Sequence, residues 1–280
     1  MNERRILSLP NTAVLTFLSA VSNSHYSEQM SVHRYLRNSG PIAIAHRGGA
    51  LETPENTREA FAYASSLGYR YIETDAQLSN DGVVIAFHDD ELDRVSNASG
   101  KIDTWDWEDL QQISINEHGR LIDIETLLRE YPGTYFNIDA KSDAVVAPLL
   151  DVLDRTGSWD RVCIGSFSDD RLRQVRDGRG EAVCTSYGPR GTLRCMLASF
   201  GLPIEPPLGD ALQLPPTYRG VPLLTKRLID HAHERGLFVH AWTIDSEAEM
   251  HRLLDLGVDG IMTDRPTVLK DVFAERGLHI

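Results

Sequence analysis

The chain of 280 residues is 41% hydrophobic and 25% charged, a globular composition that excludes the disordered and membrane-embedded classes and allows one large domain or two ordinary ones. Its formal net charge of -13 argues against a nucleic acid as main partner, since proteins that hold a phosphate backbone present basic faces; a small anionic substrate would need positive charge gathered locally. Cys163, Cys184 and Cys195 are odd in number and at no metal-ligand spacing, so neither a disulfide framework nor a zinc knuckle is expected.

Residues 1–40 read as an N-terminal extension. Arg4 and Arg5 ahead of the apolar run Ala13 to Val21, with Pro10 and Asn11 between, make a poor secretory signal; the plainer account is a disordered tail or a segment upstream of a start at Met30. The cytoplasm is the expected location, with secretion as the alternative. No stretch approaches the roughly 20 apolar residues that a membrane-spanning helix needs.

From Pro41 onward, short β-branched runs alternate with longer amphipathic segments, the pattern of βα units around a parallel sheet. Candidate strands are Ile42 to Ala45, Tyr71 to Leu78, Val83 to His88, Tyr135 to Ala140, Arg161 to Gly165, Ala182 to Thr185, Ala211 to Leu214, Leu237 to Thr243 and Gly260 to Thr263. That is one more than an α/β fold of the (β/α)8 TIM-barrel class needs. Ala211 to Leu214, between Pro-rich stretches, is the first to be assigned to a loop, and Ser186 to Thr225 as a whole reads as irregular surface structure forming part of a rim or lid. Helices have Ser/Thr starts and Gly stops: Thr57 and Gly68, Thr225 and Gly236, Ser246 and Gly257.

The second and third strands read as a β-hairpin around Asp81-Gly82, a favoured pair for a two-residue loop. In that register Asp75 faces His88, with Cβ atoms about 4.5 to 5.5 Å apart. One face then carries Glu73, Asp75 and His88, and the other Ile72, Thr74, Ala76, Leu78, Val83, Ile85 and Phe87. A solvated antiparallel sheet gives the same alternation, but two carboxylates and an imidazole on one face read better as a site. If Asn80 joins the loop, the register shifts and the pairing weakens.

In a (β/α)8 barrel the site collects at the C-terminal ends of the strands. Those ends supply His46-Arg47-Gly48-Gly49, Glu73 and Asp75, His88-Asp89, Asn137 with Asp139 and Lys141, Ser166-Phe167, Trp242-Thr243 and Thr263-Asp264. Glu73, Asp75 and Asp139 offer oxygen ligands from neighbouring strands, which suits a hard divalent cation, Mg²⁺ or Ca²⁺. His46 and His88 have the pKa range of an acid/base pair near neutrality, and Arg47 and Lys141 can hold an anion. Singly, each is as well explained as a satisfied strand-end residue. Together they describe hydrolysis of a phosphate ester. His240 shares the inward parity of Trp242 and is a further site-lining candidate.

These residues resemble the glycerophosphodiester phosphodiesterase family, whose (β/α)8 barrel is related to that of the phosphoinositide-specific phospholipases C. The resemblance rests on His46-Arg47-Gly48, Pro54-Glu55-Asn56-Thr57, the Glu73-x-Asp75 pair, Asp81-Gly82, His88-Asp89, Asn137-Ile138-Asp139-Ala140-Lys141, Ser166-Phe167, Trp242-Thr243-Ile244 and Gly260-Ile261-Met262-Thr263-Asp264-x-Pro266, and it covers nearly everything from Pro41 to the C-terminus.

The resemblance implies a catalytic barrel over residues 41–280 that hydrolyses small-molecule glycerophosphodiesters to sn-glycerol 3-phosphate and an alcohol. By analogy His46 and His88 are the general acid/base pair, and Arg47 and Lys141 hold the phosphate. Glu73, Asp75 and Asp139 would hold the metal, Glu55 would sit at the metal or glycerol side, and Trp242 would wall the substrate carbons. The family usually has Glu where this chain has Asp139, a shortening that puts the metal preference in question. The stretch from His88 to Tyr135 is too short for a large inserted domain. Two alternatives keep the same residues: headgroup-side cleavage of a lysophospholipid, with Phe200, Leu202, Leu208, Leu212 and Leu214 forming an apolar groove, and a phosphate-ester-binding barrel without turnover.

Overall fold

The computed structural model describes residues 32–179 and 182–280, so the reading of residues 1–31, a start at Met30 included, lies outside the described residues. The strands of the main sheet are β1 (Ile42–Ala45), β2 (Tyr71–Leu78), β3 (Val84–Ala86), β4 (Tyr135–Ala140), β5 (Val162–Gly165), β6 (Cys184–Thr185), β7 (Ala211–Leu214), β8 (Phe238–Ala241) and β9 (Gly260–Thr263). All but β3 pair in parallel, in the order β6-β5-β4-β2-β1-β9-β8-β7. A parallel bridge between Ser186 and Ala211 joins the two ends of this sheet, reinforced by the Tyr187 N–H donating to the Ala211 carbonyl at 2.8 Å. The sheet thus curls into a barrel.

Each barrel strand leads to a helix: α1 (Arg58–Leu67), α2 (Ile124–Glu130), α3 (Val146–Thr156), α4 (Asp169–Arg179), α5 (Pro189–Ser199), α6 (Lys226–His233), α7 (Glu247–Leu256) and α8 (Pro266–Glu275). Thr57 and Thr225 cap α1 and α6 with their hydroxyls, and Gly68 and Gly257 close α1 and α7 in the left-handed conformation.

Ala211 to Leu214 is a barrel strand, not a loop. Its backbone is in register with β8 from Phe238 opposite Ala211 to Ala241 opposite Leu214, and Pro215 follows the last paired residue, so the prolines bound the strand instead of breaking it. The Pro-rich region around it also contains α5, which places Pro189 in its first turn, where proline is tolerated. The surplus strand is β3, antiparallel to β2 and off the barrel path.

The hairpin register differs by one residue from the two-residue-loop reading. Ala76 faces Ala86 and Leu78 faces Val84, because Ser79 and Val83 close a loop of Asn80, Asp81 and Gly82. The Ser79 hydroxyl accepts from the Val83 N–H at 2.8 Å, and Gly82 takes φ +86°, the left-handed residue of a three-residue hairpin. Asp75 therefore lies opposite Phe87, whose N–H donates to the Asp75 carbonyl at 3.1 Å. Ile85 and Phe87 turn into a small separate core with Leu92, Val95 and Ile102, while Val84 and Ala86 pack into the main core between sheet and helices.

Inside the barrel the inward positions form tiers. Ile42, Tyr71 and Tyr135 occupy the N-terminal end, plugged by Tyr35 and Leu36 from a short turn before β1. Tyr71 and Tyr135 stack at 4.8 Å between ring centroids, and Tyr35 meets Tyr71 edge-on at 5.3 Å. Tyr35 and Leu36, ahead of Pro41, are thus packed against the barrel. Above lie Asn137, Gln213 and His240, with the Gln213 amide donating to Asn137 Oδ1 at 2.7 Å. The next inward positions form the candidate site.

Tyr35 is fully buried with no hydrogen-bond partner for its hydroxyl. Tyr35→Ala should cost about 3 to 5 kcal/mol in urea unfolding, whereas Tyr35→Phe should leave stability unchanged or raise it, because it removes an unsatisfied polar group. A loss from the Phe variant as large as from the Ala variant would show that the hydroxyl, not the ring, holds the plug.

Candidate active site

Strand parity delivers most of the site. Glu73 and Asp75 on β2 and Asp139 on β4 point inward from neighbouring, registered strands, with Asp75 opposite Asp139. His46 and Arg47 leave the end of β1 in a tight turn in which Arg47 takes φ +51° and Gly48 φ +80°. A Cβ on Gly48 would stand 2.7 Å from that of Ala60, so only glycine lets this turn approach α1. The Pro54–Thr57 segment lies back on the turn through the Asn56 N–H, which donates to the Arg47 carbonyl at 3.0 Å.

The charged side chains form a chain of alternating sign. Arg94 donates through Nε to Asp89 Oδ2 at 2.5 Å and forks onto Glu55 at 2.6 and 3.0 Å. Glu55 Oε1 also accepts from Arg47 Nη1 at 2.9 Å. Arg47 Nε lies 3.2 Å from Asp75 Oδ2, an ion pair whose angle makes no hydrogen bond. Asp75 Oδ2 instead accepts from the Asn56 amide at 2.8 Å, and Asp75 Oδ1 pairs with Lys141 Nζ at 2.7 Å. Lys141 also reaches Asp139 Oδ2 at 2.8 Å.

Each histidine is held by a carboxylate on the same ring nitrogen. His46 Nδ1 lies 2.6 Å from Asp264 Oδ1, and His88 Nδ1 lies 2.5 Å from Asp89 Oδ1. This leaves Nε2 of each ring for chemistry; that of His46 stands 3.6 Å from Glu73 Oε2. Asp264 is fixed in turn by its N–H donating to Asp245 Oδ1 at 2.8 Å.

Burial and like charge set the electrostatics. Burial, then the neighbouring Asp75 charge, pushes Glu73 up to about 7. Burial also opposes ionisation of Asp75, but Lys141 and Arg47 outweigh it and hold that carboxyl down at about 2. For His46, burial disfavours the charged ring, yet Glu73 and Asp264 prevail and raise it above the ordinary imidazole value. A buried, all-oxygen set in which one carboxylate is destabilised by another suits a hard divalent cation, whose charge would relieve that repulsion. Lys141 now stands between two members of the set. Among the described residues, the three His or carboxylate donor atoms that lie within 4.8 Å of one another belong to Glu247, His251 and Glu275 on the outer helices α7 and α8; Glu73, Asp75 and Asp139 do not converge that closely with Lys141 between the two aspartates.

Of the sequence-derived candidates, His46, Arg47, Glu55, Glu73, Asp75, Asp139 and Lys141 join one connected cluster, and His88 joins it through Asp89 and Arg94. Glu55 has its oxygens taken by Arg47 and Arg94, so it braces the two guanidinium groups. Trp242 sits beside the exposed Phe167 ring, edge to face at 5.6 Å. His240 is not at the mouth: it is fully buried below the site, pushed down to about 4 by burial and thus neutral. Of the five residues offered for an apolar groove, Leu212 and Leu214 are in the core, while Phe200, Leu202 and Leu208 are exposed. The sequence gives no role to Arg94, and it offers Asn56, Asp89 and Asp264 only as motif or strand-end residues, without the contacts that they make here.

The sequence from 46 to 268 matches the model of the glycerophosphoryl diester phosphodiesterase family. This chain belongs to that family. It is 37% identical over 87% of its length, and 94% of the relative's, to a Mycobacterium tuberculosis protein named "Probable glycerophosphodiester phosphodiesterase 2". A solved Silicibacter pomeroyi structure superposes with TM-score 0.73 at 22% identity, over 88% of this chain and 99% of that one. An Oleispira antarctica phosphodiesterase, solved in complex with the product sn-glycerol-3-phosphate, superposes with TM-score 0.70 at 21% identity, over 84% of this chain and 97% of that one. Among the described residues no helix is long and apolar enough to cross a membrane.

Because the folded-state value of Glu73 is raised from 4.5 to about 7, the folded chain holds a proton that the unfolded chain releases in that window. This contribution to stability is present at low pH and lost as the pH rises through the window. The Tm of metal-stripped protein should therefore decline from about pH 5 to about pH 7.5, and Glu73→Gln should flatten the decline; an equal slope in both proteins would contradict the assignment.

Proposed function

We propose that the chain hydrolyses glycerophosphodiesters to sn-glycerol 3-phosphate and an alcohol, with a divalent cation, Mg²⁺ or Ca²⁺, held by Glu73, Asp75 and Asp139. The observation that carries this reading is a pair of imidazoles, each tied at Nδ1 to a carboxylate and so presenting Nε2, at the barrel end that also holds buried carboxylates and two cationic side chains. Family membership and the product bound to the Oleispira antarctica relative support the substrate class.

One imidazole gives a proton to the leaving oxygen, and the other takes one from the attacking water, or from the glycerol hydroxyl, in which case a cyclic phosphate forms and water then opens it to glycerol 3-phosphate with the two roles reversed. Asp264 and Asp89 keep the Nδ1 proton in place, so that each ring exchanges its proton at Nε2 alone. Arg47 and Lys141 bring positive charge to the phosphate. When bound, the cation supplies Lewis-acid charge that stabilises the non-bridging oxygens. Trp242 and Phe167 offer an apolar wall to the substrate carbons.

The direct test gives metal-stripped protein glycerophosphocholine, glycerophosphoethanolamine and a lysophospholipid, each with Mg²⁺, Ca²⁺ or neither. Metal-dependent release of glycerol 3-phosphate is expected from the first two; lysophosphatidate release would select the lysophospholipid reading, and no turnover with either metal would contradict the proposal. His88→Ala should lower kcat about 10² to 10⁴-fold. Asp139→Glu, which restores the family's usual ligand length, should change the ratio of Mg²⁺ to Ca²⁺ activity, whereas an unchanged ratio would remove Asp139 from the ligand set.

A further inference from the structure

Arg94 lies outside the strand-end positions where a barrel collects its chemistry, yet its guanidinium links the His88–Asp89 pair to the Glu55–Arg47 pair by hydrogen bonds to a carboxylate of each. Its Nε donates to Asp89 Oδ2 at 2.5 Å, while the other oxygen of Asp89 holds His88 Nδ1 at 2.5 Å. Its Nη1 and Nη2 grip both oxygens of Glu55 at 3.0 and 2.6 Å, and Glu55 Oε1 holds Arg47 Nη1 at 2.9 Å. The residues beside it fix its backbone: Leu92 and Val95 are buried in the small core under the hairpin, and Asp93 accepts from the Gly100 N–H at 2.9 Å. Arg94 itself is half exposed, so the global fold does not depend on its burial.

Resting on the proposed activity, we infer that Arg94 is a positioning residue that couples the His88 acid/base group to the Arg47 phosphate clamp through Asp89 and Glu55. The planar guanidinium suits this task, because it presents donors in a rigid fork and here spans two carboxylates at once. A lysine ammonium is a point charge on a flexible stem and cannot hold both partners in the same geometry. Without Arg94, Asp89 is free to leave the His88 ring, and Glu55 faces Arg47 alone and draws it from the substrate.

The test compares the parent with Arg94→Ala and Arg94→Lys, full chain, with glycerophosphocholine and the activating metal. Arg94→Ala should lower kcat about 10- to 100-fold and raise KM, with Tm little changed. Added ethylguanidinium should restore part of kcat to Arg94→Ala, and Arg94→Lys should recover less than half of the parent rate. On a His88→Ala background the same substitution should cost little further kcat but still raise KM through Arg47. Parent-like kcat and KM in Arg94→Ala, or an equal kcat loss on both backgrounds, overturns the inference. A second readout needs no turnover: the ring ¹⁵N shifts of His88, which report its tautomer, should change in Arg94→Ala, and unchanged shifts overturn the inference. Should the parent prove inactive on every diester, the proposed activity fails by itself, and the His88 shifts still decide whether Arg94 sets that ring.

Discussion

Asp75 is a carboxylate with almost no access to water, and an isolated ion so placed would cost several kcal/mol. It is tolerated because Lys141 lies against one oxygen and Asn56 and Arg47 against the other. Arg47 is charge-balanced by Glu55, Glu55 by Arg94, and Arg94 by Asp89, until the chain of alternating charge reaches half-exposed groups. Removing one partner from such a network leaves the next one buried and uncompensated, and this ties the turn after β1, β2, the end of β4 and two loops to one arrangement. The imidazoles hang from its edges: His46 beside Glu73, and His88 on Asp89.

The barrel makes this concentration of charge possible. Parallel strands present every second residue inward, so a strand that starts with Tyr71 or Tyr135 must present Glu73 or Asn137 next, then Asp75 or Asp139. The aromatic tier at the N-terminal end seals the interior with Tyr35, and the tier of Asn137, Gln213 and His240 is polar but uncharged, His240 being neutral. Apart from Glu73, which is registered with Asn137, the inward charged groups on β2 and β4 thus lie at the C-terminal ends of the strands. The small core beneath the hairpin has a separate task, to hold the loop carrying Asp89 and Arg94 against that end.

The strands with β-branched or aromatic runs were legible in the sequence, β1, β2, β4 and β9 with their observed bounds, because alternation is a local signal. So was the cluster of His46, Arg47, Glu73, Asp75, Asp139 and Lys141, which parity and strand ends bring together without knowledge of the rest. The hairpin register was not: Asp-Gly fits a two-residue loop, and only the Ser79 hydroxyl on the Val83 N–H shows that Asn80 belongs to the turn. Nor was β7, whose flanking prolines mask a pairing that depends on a distant strand, β8. Asn56 stands in the sequence only as one letter of the Pro54-Glu55-Asn56-Thr57 motif; in the structure its backbone is left-handed and its amide donates to Asp75. Arg94 and Asp264 act across 39 and 218 positions of sequence, through side-chain contacts that no local pattern encodes.

Glu73, Asp75 and Asp139 are proposed as a cation site although Lys141 pairs with both aspartates. Anomalous diffraction from crystals soaked in Mn²⁺, a hard ion suited to the same oxygen ligands, tests it most directly. One strong peak is expected within about 2.0 to 2.6 Å of oxygens from all three carboxylates, with the Lys141 ammonium withdrawn from between Asp75 and Asp139. A barrel mouth without a peak, with Lys141 still bridging the two aspartates and the ion instead at Glu247, His251 and Glu275, would contradict it.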